Sequence, residues 1–355
     1  MRVSGKKFKV SFIVISFLIL LATVLVSLKL GSINISFKEL ITGLFSGQAD
    51  GNVGIIKDLR MPRVIIAVLV GANLAIAGVL LQSVIRNPLA DPYITGISSG
   101  ACVVTVFFMV FIPGVTNLRP IFGFFGGLIS CIIIYFMSYK NGLSPIRIVL
   151  AGAACNALLG GFSSMITVSA GLGAGNIQKW MMGSLATVNW NNVNILLVYS
   201  VIGIVAALLL SKVCNILALG SKNAKSLGFN SDLYMIIVTA VAIFLASIST
   251  AIVGIISFVG LVVPHICRII IGSDHKYLIP CSGIVGGFLV LFADTIGRMA
   301  MRPNEIPVGV VTAILGAPFF LYLLRRWVTA EGGSVIYYLS EKGLLQNLQQ
   351  LPFNE

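Results

Sequence analysis

Apolar runs about twenty residues long, set nearly end to end, constrain this chain more than any motif in it. A helix needs about 20 residues to cross a hydrocarbon core about 30 Å thick. Backbone groups in lipid must be paired within the segment, so each run is read as a helix. Ten runs are legible: Val10–Leu30, Met61–Gln82, Tyr93–Ile112, Arg119–Tyr139, Pro145–Val168, Val193–Lys212, Leu233–Val253, Ile255–Ile271, Leu278–Arg298 and Pro307–Arg325. Only Gly254 parts the seventh run from the eighth, so nine or eleven spans are alternatives. Charged residues make up 10% of the 355, against roughly 25% in a soluble domain. The chain reads as an all-α polytopic membrane protein with a single transmembrane domain.

The basic start (Arg2, Lys6, Lys7, Lys9) suits a signal peptide. The apolar run behind it is too long, and Ser27–Ser32 offers no A-x-A cleavage site. It is read as a retained first span. The net charge of +13 raises the question of nucleic acid. With the N-terminus inside, 15 Lys and Arg fall on inner loops and 9 on outer ones. That is the positive-inside bias of a membrane protein with both termini cytosolic, and lipid rather than nucleic acid is its partner. The six cysteines lie in or beside apolar runs without paired spacing. They read as small packing residues, with no disulfide set, metal site or cofactor implied.

Several features go beyond anchoring. The inner loop 213–232 contains ALGSKNAKSLGFN, Ala218–Asn230. Leu219–Gly220 and Leu227–Gly228 bracket a short stretch around Ala224, and Gly228 suits a helix C-cap. A short helix between glycine turns would present apolar knobs at the inner face; an ordinary basic loop is the alternative. On the outer side, Arg60 and Arg63 flank Met61–Pro62, and Arg298 closes the ninth run. Arginines there also anchor headgroups, and Asp294 stands at i,i+4 to Arg298. In the fifth run Gly152, Asn156, Gly160 and Ser164 recur every fourth residue. Such a stripe packs helices closely or lines a weakly polar path. The outer segment Ser169–Asn192 is rich in Gly and Asn, hence a structured loop or short helices. Gly78, Arg86 and Asp91 are echoed by Gly260, Arg268 and Asp274 at an offset of 182 or 183 residues, a faint internal repeat. Pro88, Pro92 and Pro264 are expected to break or kink the chain at inner turns. His265 and His275 fit no metal spacing and read as structural.

Two blocks carry a resemblance. One is RMPRVIIAVLVGANLAIAGVLLQSVIRNPLADPYITGISSGA, Arg60–Ala101. The other runs from Ile256 to Arg326 and contains ISFVGLVVPHICRIIIGSDHKYLIP, GGFLVLFADTIGRM and NEIPVGVVTAILGAPFFLYLLRR. Both resemble the permease family that imports iron–siderophores, haem and cobalamin in ATP-binding-cassette systems. The resemblance implies the ten-helix fold of the cobalamin-importer permease. It also implies a role for each feature. Leu219, Gly220, Ala224, Leu227 and Gly228 belong to the loop that couples to an ATPase. Arg60, Arg63 and Arg298 meet acidic residues of an extracellular binding protein. Gly152, Asn156, Gly160 and Ser164 flank the pathway. The partners implied are two ATPase copies, a second permease copy or paralogue, and the binding protein. The chain carries no G-x-x-x-x-G-K-[ST] loop, so it is expected not to be an enzyme itself. Ferric siderophore is the first expectation for the substrate, with haem or cobalamin as alternatives. A carrier driven by an ion gradient is the alternative class, but it usually places ionisable groups mid-membrane. Of the acidic residues only Asp294 lies within a run, near its end.

Overall fold

A computed structural model describes residues 5–30, 54, 56–139, 145–226, 228–301 and 304–322. Leu227, Arg302, the tail 327–355 and most of 31–60 lie outside them. The described residues form helices joined by short turns. They are α1 (Lys6–Lys29), α2 (Met61–Ile85), α3 (Ile97–Phe111), α4 (Arg119–Ser138), α5 (Pro145–Val168), α6 (Ala174–Met181), α7 (Trp190–Leu209), α8 (Ser211–Ala218), α9 (Ser221–Ser226), α10 (Ser231–Val253), α11 (Val259–Ile271) and α12 (His275–Ala300). A further helix, α13, spans Val308–Tyr322. One compact unit ends at Ala313; the second begins at Ile314, and its described residues are helical. Seven helices are long and apolar enough to cross a membrane: α1, α2 with its lead-in from Ile56, α4, α5, α7, α10 and α12. The apolar helices α3, α11 and α13 are shorter.

Local chemistry sets the ends. Pro62 and Pro120 stand in the first turns of α2 and α4, where no N–H is needed. Asn189 and Asn192 cap α7 reciprocally. Asn230 accepts from the Leu233 amide to start α10, and Asp274 from the Lys276 amide to start α12. Two helices begin four residues later than the apolar pattern predicts. Residues 91–96 form a hydrogen-bonded turn, so α3 begins at Ile97 instead of Tyr93. Gly254 takes a φ of +80° and closes α10, and the Ile255 amide bonds to the Met181 carbonyl, so α11 begins at Val259. Of the prolines expected to break or kink the chain, Pro264 does not end its helix; it sits buried inside α11. A proline there frees the carbonyl four residues earlier. That carbonyl belongs to Gly260, and Gln82 Nε2 donates to it at 3.1 Å.

The centre of the bundle is α2. Of its most apolar stretch 78% is buried, against 22% for α5 and 17% for α1. It packs against α12, α10, α11 and α7. Lipid gives no hydrophobic drive between helices, so close approach by small residues holds them together. Gly71 abuts the backbone of Gly286 and Gly287, Gly78 that of Gly260, and Gly100 that of Gly126. A Cβ at Gly78 would enter the Gly260 backbone. The two glycines of the faint sequence echo are thus direct packing partners. All six cysteines are free thiols, five of them buried.

Candidate functional site

The sequence-predicted residues fall into three groups at different places in the bundle. At one end, Arg60, Arg63 and Arg298 converge. Arg63 grips Asp294 with Nε and Nη2, at 3.1 and 2.8 Å from Oδ1, and its Nη1 donates to Glu305 at 2.8 Å. Arg298 Nε lies 3.2 Å from the other Asp294 oxygen. Its Nη2 donates to Ser27 Oγ at 2.6 Å and to the Ser27 carbonyl at 3.2 Å. Arg60 Nη1 donates to the Leu28 carbonyl at 2.9 Å. Asp294 is 1% exposed, and the arginine side chains of 63 and 298 only 13% and 8%. The three arginines are brought together, but they tie α1, α2 and α12 to one another. The i,i+4 pair read from sequence is present. The contacts of Arg63 with Asp294 and Glu305 had no sequence signal, because they span 231 and 242 positions.

At the other end, Leu219, Gly220, Ala224 and Gly228 build and border the short capped helix α9. Gly220 has φ +99° and Gly228 φ +73°. The Ala224 amide bonds to the Gly220 carbonyl, and the Phe229 amide to the Ala224 carbonyl at 3.1 Å. The latter is the long closing bond of a glycine-capped helix end, with Gly228 in the left-handed position. Phe229 stacks on Tyr234 at 4.5 Å. Leu219 is exposed, but Ala224 is fully buried. Ala224 therefore anchors α9 inward instead of serving as one of the exposed knobs. Gly220 abuts Arg86, the residue that closes α2.

The α5 stripe divides. Gly152 abuts the Ile94 carbonyl, and Asn156 Nδ2 donates to the Tyr93 carbonyl at 2.9 Å. Gly160 and Gly161 face open space and Ser164 is exposed. Asn73, also mid-span, is fully buried and donates to Ser200 and Ser249 at 2.8 and 3.1 Å. It joins α2, α7 and α10. The segment between α5 and α7 holds a short 3-10 turn and α6, and Trp180 Nε1 donates to the Ile252 carbonyl at 3.1 Å. Among the described residues no group of three or more His, Cys, Asp or Glu could hold a metal.

The described residues thus form a polytopic helical membrane protein, packed through glycines and organised at both ends by short turns. Comparison with known proteins then places it. The FecCD transport family matches residues 19–326, and the chain belongs to that family. It is 38% identical to the "Probable heme-iron transport system permease protein IsdF" of Staphylococcus aureus strain MSSA476, over 91% of this chain and 98% of the relative. The counterpart from strain Newman matches over the same shares at the same identity. Among solved structures it resembles an inward-facing conformation of a metal-chelate type ABC transporter. The TM-score is 0.73 at 30% identity, covering 89% of this chain and 99% of that one. PsaBC from Streptococcus pneumoniae shares the fold alone, with a TM-score of 0.53 at 16% identity, covering 83% of this chain and 100% of that one. The chain is the permease of an ABC importer. The relatives named here are heme-iron permeases, not siderophore permeases.

Proposed function

We propose that this permease imports iron held in a bulky organic chelate, and that haem is the chelate to place first. The similarity to IsdF along nearly the whole of both chains is the observation that carries the reading. It moves haem ahead of the ferric siderophore expected from the sequence; cobalamin stands third. In this reading two copies, or one copy and a paralogue, pair with two ATPase subunits at the cytosolic end, where Leu219–Gly228 docks. An extracellular binding protein delivers the chelate at the arginine end. Burial of Arg63 and Arg298 changes what the arginines contribute: Glu305, 41% exposed, and Arg63 Nη1 form the accessible rim, and exposed pairs there steer the approach. The open half of α5, from Gly160 to Ser164, lines the path between copies.

A carrier driven by an ion gradient is disfavoured by the same geometry. Asp294, the acid within a span, is shared by two arginines. It is 1% exposed and committed to holding helices together, so it is not open to a transported ion. The test is uptake into proteoliposomes with the cognate ATPase and binding protein, offering haem, a ferric siderophore and cobalamin in turn. ATP-dependent uptake of haem is the expected result. Uptake of a siderophore alone would move the substrate back, and uptake under an ion gradient without ATP would sink the importer reading.

A further inference from the structure

We propose that the turn at residues 87–96 is a joint that transmits movement from α2, α11 and the α9 loop to α5, with Asp91 and Asn156 as its positioning residues. The inference rests on the reading of this chain as an ATP-driven permease.

Turns between helices normally lie on the surface. This one is buried. Asn87, Ala90, Asp91 and Thr95 are 8%, 5%, 3% and 0% exposed. Four surrounding elements reach into it. From α2, Gln82 Nε2 donates to the Ala90 carbonyl at 3.3 Å and to the Gly260 carbonyl at 3.1 Å. From α11, Arg268 donates to Gln82 Oε1 at 2.9 Å, and Gly260 abuts Pro92 and the Asp91 carboxylate. From α4, Ser130 Oγ donates to the Gly96 carbonyl at 2.8 Å. From α5, Asn156 donates to the Tyr93 carbonyl, and Gly152 sits against the Ile94 carbonyl. Arg86, which opens the turn, borders Gly220 of the loop beside α9. The loop at this end of the bundle is thereby linked by contiguous contacts to the face of α5.

Asp91 organises the joint. Its Oδ1 accepts the Tyr93 amide at 2.8 Å, and its carbonyl takes the Thr95 amide and hydroxyl at 3.0 and 2.9 Å. These bonds turn the Tyr93 and Ile94 carbonyls toward α5. Burial and the amides of Tyr93 and Ile94 are the influences on the carboxyl, and burial, the larger, pushes it up to about 6. In the turn the Asp91 side chain serves as an acceptor for the Tyr93 amide, a role that an amide oxygen also fills. Asn156 is the receiving group. Its Nδ2 is committed to Tyr93, while its buried Oδ1 has no partner among the described residues. One strong bond and one abutting glycine thus fix α5 to the turn, while the rest of α5 is left largely uncovered. Beyond the turn, α5 packs on α3 and α4, so a shift of the turn is passed to α5 together with the helices it leans on.

The experiment compares Asp91→Asn, Asp91→Leu, Asn156→Leu and the Asp91→Leu/Asn156→Leu double variant in proteoliposomes with the ATPase and binding protein. Haem taken up per ATP hydrolysed is the readout. Loss of a buried acceptor or donor should lower that ratio about tenfold in each Leu variant. Asp91→Asn should stay within about twofold of wild type, because the amide oxygen still accepts. The double variant should be no worse than the poorer single one, since both break one linkage. An unchanged ratio in the Leu variants, a parallel fall of uptake and hydrolysis, or additive losses would overturn the joint. Absence of haem uptake by the wild type would count against the substrate reading alone. Amide exchange on the purified permease then tests the joint separately. Asn156→Leu should speed exchange at Thr95, Gly96 and Ser98, and unchanged exchange there would overturn it.

Discussion

Asp294 serves two arginines at once, and this decides what each substitution in the arginine cluster costs. Removing it leaves Arg63 and Arg298 as neighbouring buried like charges, and breaking such a pair from one side costs about 3–5 kcal/mol. Glu305 is exposed, and its pair with Arg63 is worth about 0.2–1 kcal/mol. Asp294→Ala should therefore lower the melting temperature in detergent far more than Glu305→Ala; equal shifts would show that the cluster does not hold the helices. Asp91 gives a second prediction. Its native carboxyl titrates near 6, against 3.8 for the free side chain. The folded state thus holds the proton more tightly, and stability falls as pH rises from about 4 to about 6, by an amount approaching about 3 kcal/mol. Asp91→Asn should flatten that slope in denaturant titrations across the window; a slope retained in the variant would assign it to another group. Sequence legibility at this scale followed distance along the chain. The Asp294–Arg298 pair was readable because a helix places i and i+4 together. The grip of Arg63 on Asp294 and of Asn156 on Tyr93 depends on tertiary packing, which no local spacing encodes.

Among the elements, the apolar helices were readable because lipid demands length and internal pairing together. Their starts were less so. The turn before α3 is apolar enough to pass for helix, yet Asp91 and Thr95 bind its backbone into another shape. Pro264 signalled a break or a kink; α11 runs on past it, and Gln82 satisfies the carbonyl it frees. The cap of α9 was legible, since a glycine after a short helical run is the commonest left-handed stop. Gly228→Ala forces a side chain into φ +73°, at about 1–2 kcal/mol. The Phe229 amide, which closes the cap on Ala224, should then exchange faster while α10 keeps its protection. Unchanged exchange at Phe229 would mean that the cap is held by something other than its glycine.

At the level of the whole molecule the distribution of burial matters most. Helices α2, α10 and α12 carry their own cover, whereas α5 is largely bare. Bare helical surface in a membrane meets either lipid or another protein, and composition separates the two. The uncovered part of α4 exposes Ile129, Ile132, Ile133 and Phe136, bulky residues that suit acyl chains. The outer half of α5 mixes bulky residues with Gly160, Gly161 and Ser164, which leave room for a second backbone. On the permease reading that room belongs to a second copy, with the pathway between the two. This distinction was only half legible beforehand. The four-residue stripe was visible, but its division into a part engaged with the turn and an open part needed the placement of Ile94 and Tyr93. A Cys155→Ser background leaves only buried thiols. In it, Ser164→Cys should give a crosslinked dimer with a short bifunctional maleimide, in membranes and before detergent is added. Ile132→Cys, on the acyl-facing side of α4, should label singly and remain monomeric. Dimer from Ile132→Cys and none from Ser164→Cys would put the second copy on the α4 face and remove α5 from the centre of the assembly.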